Sequence, residues 1–300
     1  MRFDLTVPFA RFAAQHISTL GTPFKRYHMG TVWRGENTQR GRYREFMQCD
    51  FDTIGTTSAI SDLETVLVVH DLLAAIGIDK FTIRINDRRI LSGILEVLGL
   101  TSKTTHVLRC LDKTGKIPRD TLAKELQEQG VSVPSIDRLL GLGELAGSAT
   151  DVLNELQDLV GESVIGTRGV EAVRALLSGL SEVGVGDDRI TLDPSIARGL
   201  DYYTGIVLES FLDELPDLGS VCSGGRYDNL AELYTKQSLP GVGASLGVDR
   251  LLAGLEELDK LTSVETPASI FLVYFDESHL GDYLRIAARL REHGLSVDFY

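Results

Sequence analysis

An α+β fold is predicted for this 300-residue chain, and three observations carry the prediction. A β-rich hairpin runs through residues 24–55; a strand-poor, Leu-rich stretch occupies about 101–186; a β-α-β pattern fills residues 268–300. Period-2 and β-branched runs read as strands and 3.6-residue periodicity as helix. The order of these periods implies a sheet domain in two halves around a helical module, then the start of an α/β unit with a parallel sheet.

Taken in order, Thr6 and Pro8 are read as cap and first turn of a helix over 8–20. Strand, loop and strand follow as YHMGTVWR, GENTQRGR and YREFMQCDFDTIG. Ser58 opens an amphipathic helix with Ile60, Leu63, Val66, Leu67 and Leu73 inward, ending near Gly77. Phe81–Asn86 reads as a strand and Arg88–Leu98 as a helix. Helical Leu-rich stretches at 121–129, 137–146, 150–160 and 168–180 are broken by Gly. Strands return at 189–192, 202–210 and 219–223, and GVGASLGVDRLLAGL (241–255) passes from a Gly-rich strand into a helix. After DKLTSVETP (259–267) come the strand SIFLVYF, a helix near 278–293 and the strand LSVDFY.

The hairpin concentrates charge where a buried hairpin would avoid it. Lys25, Arg26, Arg34, Arg40, Arg42 and Arg44 stand against one acid, Glu36, in a protein of net charge -13. Alternation puts Arg44, Phe46, Gln48, Asp50 and Asp52 on one side and Met47, Cys49 and Phe51 on the other, which predicts the apolar side as core. The polar side suits a small zwitterion beside a polyphosphate: guanidinium groups match phosphate or carboxylate, a ring can stack on a base, and Gln48 with Asp52 can hold an ammonium. A solvated face laced with cross-strand ion pairs is the competing reading of the hairpin alone.

Composition excludes several classes. There is no 18-residue apolar run and no signal-like N-terminus, so a soluble, cytoplasmic protein without a membrane partner is expected. Cys49, Cys110 and Cys222 form no CxxC, and the six histidines show no ligand spacing, so no metal ligands are assigned. Net acidity argues against nonspecific nucleic-acid binding, although a local basic surface would suffice for contact with phosphates. The Gly-rich segment 241–255 has neither GxxxxGK[ST] nor GxGxxG.

Three further segments join the hairpin: RGLDYYTG (198–205), SGGRYDNL (223–230) and GVGASLGVDRLL (241–252). In this order the set resembles the histidyl-tRNA synthetases, a family of class II aminoacyl-tRNA synthetases. The hairpin is similar to class II motif 2, RGLDYYTG to the histidine-specific signature, SGGRYDNL to its companion and GVGASLGVDRLL to motif 3. MRFDLTVPFAR (1–11) resembles the strand-to-helix approach to the amino-acid pocket.

The resemblance implies an antiparallel sheet flanked by helices, with residues 1–100 and 187–258 as the two halves of the catalytic core and 101–186 as the insertion. Residues 259–267 would be a linker and 268–300 the start of an anticodon-binding domain. Motif 1, which builds the family's dimer interface, would lie upstream of Met1, so the chain is expected to be a fragment of a homodimeric protein.

The implied reaction is ATP-dependent activation of L-histidine, with magnesium, followed by transfer to tRNA(His). Arg34 would grip the α-phosphate and carboxylate, Arg198 the same phosphate from the other side, and Arg250 the distal phosphates. Glu36, Arg42 and Phe46 complete the ATP site, with Phe46 stacking on adenine. Asp4, Leu5, Thr6, Gln48, Asp52, Tyr202, Tyr203 and Tyr227 would form the histidine pocket together with Arg34 and Arg198. Tyr202 and Tyr203, read as strand neighbours, should face opposite ways. Asp201 and Asp249 are read as partners of neighbouring arginines, and Gly224 with Gly225 as either a turn or a ligand approach. Two alternatives stay open: a noncatalytic paralogue, such as the histidine-binding regulatory subunit of ATP phosphoribosyltransferase, and a tRNA-sensing domain of a larger kinase.

Overall fold

The computed structural model describes residues 1–114, 117–197, 202–261 and 266–300. It divides into two compact units, Met1–Leu255 and Glu256–Tyr300.

The first unit is built on a seven-stranded sheet. Its strands are β1 (Phe24–Trp33), β2 (Glu45–Ile54), β3 (Phe81–Asp87), β4 (Ile190–Leu192), β5 (Ile206–Leu212), β6 (Cys222–Arg226) and β7 (Gly241–Gly247). The spatial order is β1-β2-β7-β6-β5-β3-β4, antiparallel throughout except for the parallel pair β3 and β4. Chain order and spatial order differ because β7 inserts between β2 and β6, bringing the hairpin beside the Gly-rich strand.

Helices α1 (Thr6–Leu20), α2 (Ala59–Ala75) and α3 (Arg88–Val97) belong to the first half of this unit. α1 starts two residues earlier than expected, and Thr6 does not cap it: Leu5 holds the N-cap position without a side-chain bond, and Asp4, one residue before it, accepts from Val7 N–H through Oδ1 at 3.0 Å. A carboxylate at a helix N-terminus also meets the favourable end of the helix dipole, and Thr6 is left free to point elsewhere. α1 buries Phe9, Ala13 and Ile17 against Ile54, Ala231 and Leu239; each large apolar side chain so buried is worth about 1.5–3 kcal/mol.

Ser58 caps α2 through Ile60 N–H; of the residues expected inward Val66 and Leu73 are buried and Leu63 and Leu67 half-buried, but the covered face is turned away from Ile60. Ile60 is 73% exposed, while Ser61, Asp62, Thr65, Val66, Val69 and Leu73 are buried. The rotation follows from Asp62, whose Oδ1 accepts from Arg226 Nε at 2.9 Å; a buried ion pair outranks one isoleucine in orienting a helix.

The strand-poor stretch holds α4 (Thr104–Leu111), α5 (Arg119–Glu128), α6 (Val133–Gly141), α7 (Ala149–Val160) and α8 (Val164–Glu182). Ser132, Ser148 and Ser163 each cap one of these helices, Ser148 in a reciprocal box with Asp151. α8 crosses α3 where Gly166 faces Gly93, so close that a Cβ on Gly93 would sit 2.4 Å from the Gly166 Cα. α9 (Val248–Glu257) follows β7 directly.

In the second unit, β8 (Ile270–Leu272) and β9 (Val297–Phe299) pair in parallel, joined through α10 (Leu280–Glu292). Among the described residues, no helix is long and apolar enough to cross a membrane.

Candidate active site

β2 presents its polar residues inward. Gln48 (6% exposed), Asp50 (1%) and Asp52 (6%) are buried, whereas Met47 is 40% exposed. The expected burial is thus inverted: the polar face is covered, because it lines a cavity of about 800 Å³ against the sheet. The ladder register lays Asp50, Ser245, Ser223 and Glu209 in one row across β2, β7, β6 and β5, and all four line that cavity.

One part of the cavity is cationic. Arg34, Arg42 and Arg250 line it together with Glu36 and Phe46. Arg34 donates from Nε to the Phe3 carbonyl at 3.2 Å and lies over the Phe3 and Phe46 rings, 4.7 and 5.1 Å from their centroids. Arg42 forms an ion pair with Glu36. Arg250, in the first turn of α9, donates to the Ser220 carbonyl at 2.6 Å. Burial lowers the basicity of Arg250, and Arg42 and Arg34 lower it further, so its environment favours an incoming anion.

Another part is acidic and phenolic. Asp4, Thr6, Gln48, Asp50, Tyr202 and Tyr203 line it. Burial pushes the Asp4 and Asp50 carboxyls up, opposed for Asp4 by the Val7 N–H and by Arg34. Tyr202 and Tyr203 precede β5 and do not lie on it, so strand alternation does not separate them. Their rings sit edge to face, 5.0 Å apart, both half-buried, and burial raises both phenols so that each stays a neutral hydroxyl.

Leu5, Asp52 and Tyr227 lie behind this lining. Tyr227 (1% exposed) donates to Asp52 Oδ1 at 2.6 Å, and Arg26 Nη2 stands 2.8 Å from Asp52 Oδ2. Arg26 also donates to the Leu5 carbonyl at 3.1 Å and sits over the Phe9 ring at 4.3 Å. Burial outweighs the attraction of Arg26 and the Tyr227 hydroxyl, and the Asp52 carboxyl is pushed up to about 7. Gly243 makes room: a Cβ there would meet Asp52 Oδ1 at 2.3 Å.

Arg198 and Asp201 lie outside the described residues, as do residues 262–265 of the expected linker. Gly224 and Gly225 are inside β6, not in a turn. Asp249 accepts the Met47 backbone N–H at 2.7 Å instead of pairing with an arginine. Sequence reasoning passed over Arg26 and Asp50 as site residues. Asp50 was legible from alternation with Gln48; Arg26 needed the register that sets it opposite Asp52.

A protein-family model described as "Histidyl-tRNA synthetase" matches residues 1–251. A histidine–tRNA ligase of Rhodopirellula baltica is 58% identical over 301 residues, covering all of this chain and 68% of that protein. One from Wolinella succinogenes is 46% identical over 303 residues, covering all of this chain and 69% of its own length. Among solved structures, the histidyl-tRNA synthetase of Nostoc sp. PCC 7120 matches with a TM-score of 0.83 at 33% identity, over all of this chain and 70% of its own. A Bacillus halodurans protein titled an ATP phosphoribosyltransferase regulatory subunit/histidyl-tRNA synthetase shares the fold, with a TM-score of 0.76 at 22% identity over 99% of this chain and 73% of its own. With motif segments, sheet order and relatives in agreement, the chain belongs to the histidyl-tRNA synthetase family.

Proposed function

We propose that this chain catalyses the ATP-dependent activation of L-histidine and the transfer of the histidyl group to tRNA(His), as its relatives' name, histidine–tRNA ligase, describes. The observation that carries the reading is the division of one cavity into a cationic part around Arg34, Arg42 and Arg250 and an acidic part around Asp4, Gln48 and Asp50. A polyphosphate and an amino-acid zwitterion require those two environments side by side.

In the first step a histidine carboxylate oxygen bonds to the α-phosphorus of ATP, the bond to the bridging oxygen breaks, and pyrophosphate leaves. In the second, a hydroxyl of the terminal adenosine of the tRNA attacks the carbonyl carbon and AMP leaves. Arg34 holds the two anionic reactants in line, Arg250 holds the distal phosphates, and Phe46 stacks on adenine with Glu36 and Arg42 beside it. Arg198 is assigned to the α-phosphate by the family signature alone. Binding energy fixed on charge developing at phosphorus lowers the barrier without tightening the ground state.

The phenols of Tyr202 and Tyr203 recognise the imidazole, while Asp52, Tyr227 and the Leu5 carbonyl, tied together by Arg26, brace the pocket from behind. Neutral hydroxyls suit that task, since each can donate or accept.

Magnesium is the metal this chemistry uses. In such chemistry magnesium is carried mainly by phosphate oxygens and water, with one or two carboxylates from the protein. Glu36 and Glu209, both lining the cavity, are the carboxylates that would hold it, and it would share the phosphate charge. We further assign residues 268–300 to the start of an anticodon-binding domain and expect the family's homodimer.

Exchange of labelled pyrophosphate into ATP, assayed with each of the twenty amino acids and magnesium, tests the reading. Exchange with histidine alone is expected. Histidine binding without exchange would favour the regulatory-subunit alternative, and exchange with another amino acid would overturn the assignment.

A further inference from the structure

β2 outruns the strand beside it. Its last partner on the β7 side is Gly247, opposite Gln48, so Glu45–Met47 continue past the point where β7 ends and α9 begins at Val248. The Met47 N–H lies beyond that ladder and is taken up by Asp249, whose Oδ2 accepts it at 2.7 Å across 202 positions of the chain. Met47 is 40% exposed, and water can satisfy a main-chain donor at such a place. The bond is therefore not required to bury the donor. What it does is join two elements.

Those two elements carry the cationic part of the cavity. Phe46 and Gln48 flank Met47, Arg250 follows Asp249, and all three line the cavity, whereas Asp249 does not. Arg34, just after β1, lies over the Phe46 ring at 5.1 Å. The loop between β1 and β2 also closes on α9: at Gly41, where φ is +66°, a Cβ would stand 3.1 Å from the Arg250 Cα and 3.2 Å from the Ala253 Cβ. Further out, the Arg250 guanidinium donates to the Ser220 carbonyl at 2.6 Å. The arginine is thus held at its tip by Ser220 and at its base by the neighbouring carboxylate. A bond to an ionised acceptor is short and strong, so it fixes spacing well.

We propose that Asp249 is a positioning residue for Arg250: its bond to the Met47 N–H sets the distance from α9 to the Arg34 and Phe46 side of the cavity, so that one polyphosphate meets both arginines. The proposal rests on the reading of this cavity as the site of ATP-dependent histidine activation. Spacing matters here because a misplacement of about 1 Å can cost on the order of 10²-fold in rate.

The test follows pyrophosphate exchange by the whole chain, with the dependence on ATP and on histidine measured separately. Asp249→Ala is expected to lower kcat/KM for ATP by about 10–100-fold, with the KM for histidine and the Tm nearly unchanged. Asp249→Asn keeps an oxygen acceptor for the Met47 N–H and is expected to stay within about threefold of the parent. In an Arg250→Ala background the further change Asp249→Ala should cost less than about threefold, because no guanidinium remains to be placed. Losses that multiply in the double variant would overturn the proposal, as would parental exchange in Asp249→Ala or a matching rise in the KM for histidine. Asp249→Asn as damaging as Asp249→Ala would make charge, and not the bond to Met47, the determinant and overturn it too. Asp249→Leu, similar in shape but without an acceptor, should repeat the effect of Asp249→Ala; loss of folded protein in both would make Asp249 a structural group and overturn the proposal. A parent chain that exchanges pyrophosphate with no amino acid would instead remove the activation reading on which the proposal stands, and the proposal with it.

Discussion

Arg226 and Arg250 are both drawn out of water, and the fold treats them in opposite ways. Arg226, at the end of β6, donates to Asp62 and Asp228 at 2.9 and 3.1 Å and to the Thr56 and Ser58 carbonyls. Burial alone would lower its basicity, yet the two carboxylates hold it above its ordinary value. Arg250 has Arg42 and Arg34 nearby, and with burial they lower its basicity, outweighing the opposing pull of Glu36 and Glu209. A cation that the protein uses for its own cohesion is supplied with anions by the chain; a cation kept among other cations in a cavity is stabilised by what binds there. The contrast separates two arginines that look equivalent in a list of charged residues.

The largest effect should come from breaking the self-satisfied site. Arg226→Ala leaves Asp62 buried without its cation and is expected to cost about 3–5 kcal/mol of stability, read as a large loss of Tm or of folded protein. A variant as stable as the parent would show that Asp62 finds water or another partner, and the contrast would fail. Arg250→Ala should do the reverse: pyrophosphate exchange falls by roughly 10²–10³, as for loss of one donor to a developing charge, with Tm nearly unchanged. A fall in Tm with the rate per folded molecule retained would make Arg250 a second structural arginine.

The smallest effect sharpens the comparison at Asp52, a buried carboxylate whose cation does not win. Its folded value near 7 lies above its ordinary 3.8, so between these values the folded chain holds a proton that the unfolded chain has released. The contribution of this group to stability is therefore full below about pH 4 and is lost as pH rises to about 7. Asp50 and Asp4 push in the same direction as burial, while Arg26 and the Tyr227 hydroxyl push against it. Asp52→Asn removes the titration, so the Tm of the parent relative to this variant should decline by a few degrees from pH 4 to 7. A difference that is flat or grows with pH would mean that Arg26 holds Asp52 ionised throughout.

The local order of elements was legible because it depends on neighbours in the chain. Alternation marked β1 and β2, Ser58 marked the start of α2, and the Gly-rich run before Val248 marked the passage from β7 to α9. The grouping of candidate residues was legible for a similar reason: Arg34, Gln48 and Arg250 stand in ordered segments, and all three line one cavity. Errors arose wherever burial had to be guessed. Met47 was read inward and Ile60 inward, and both are exposed. Tyr202 and Tyr203 were separated by a strand that begins only at Ile206.

The sequence by itself determined the periods, the caps and the identity of the charged groups, since these follow from covalent order and short-range sterics. Tertiary structure alone decided which face of β2 is covered, which arginine meets a carboxylate and which meets another arginine. Those outcomes depend on partners far along the chain: Arg226 reaches back 164 residues to Asp62, and Tyr227 reaches 175 residues to Asp52. A period can say that two faces differ, but the free energy of burying a charge depends on what stands opposite it, and only the assembled sheet sets that.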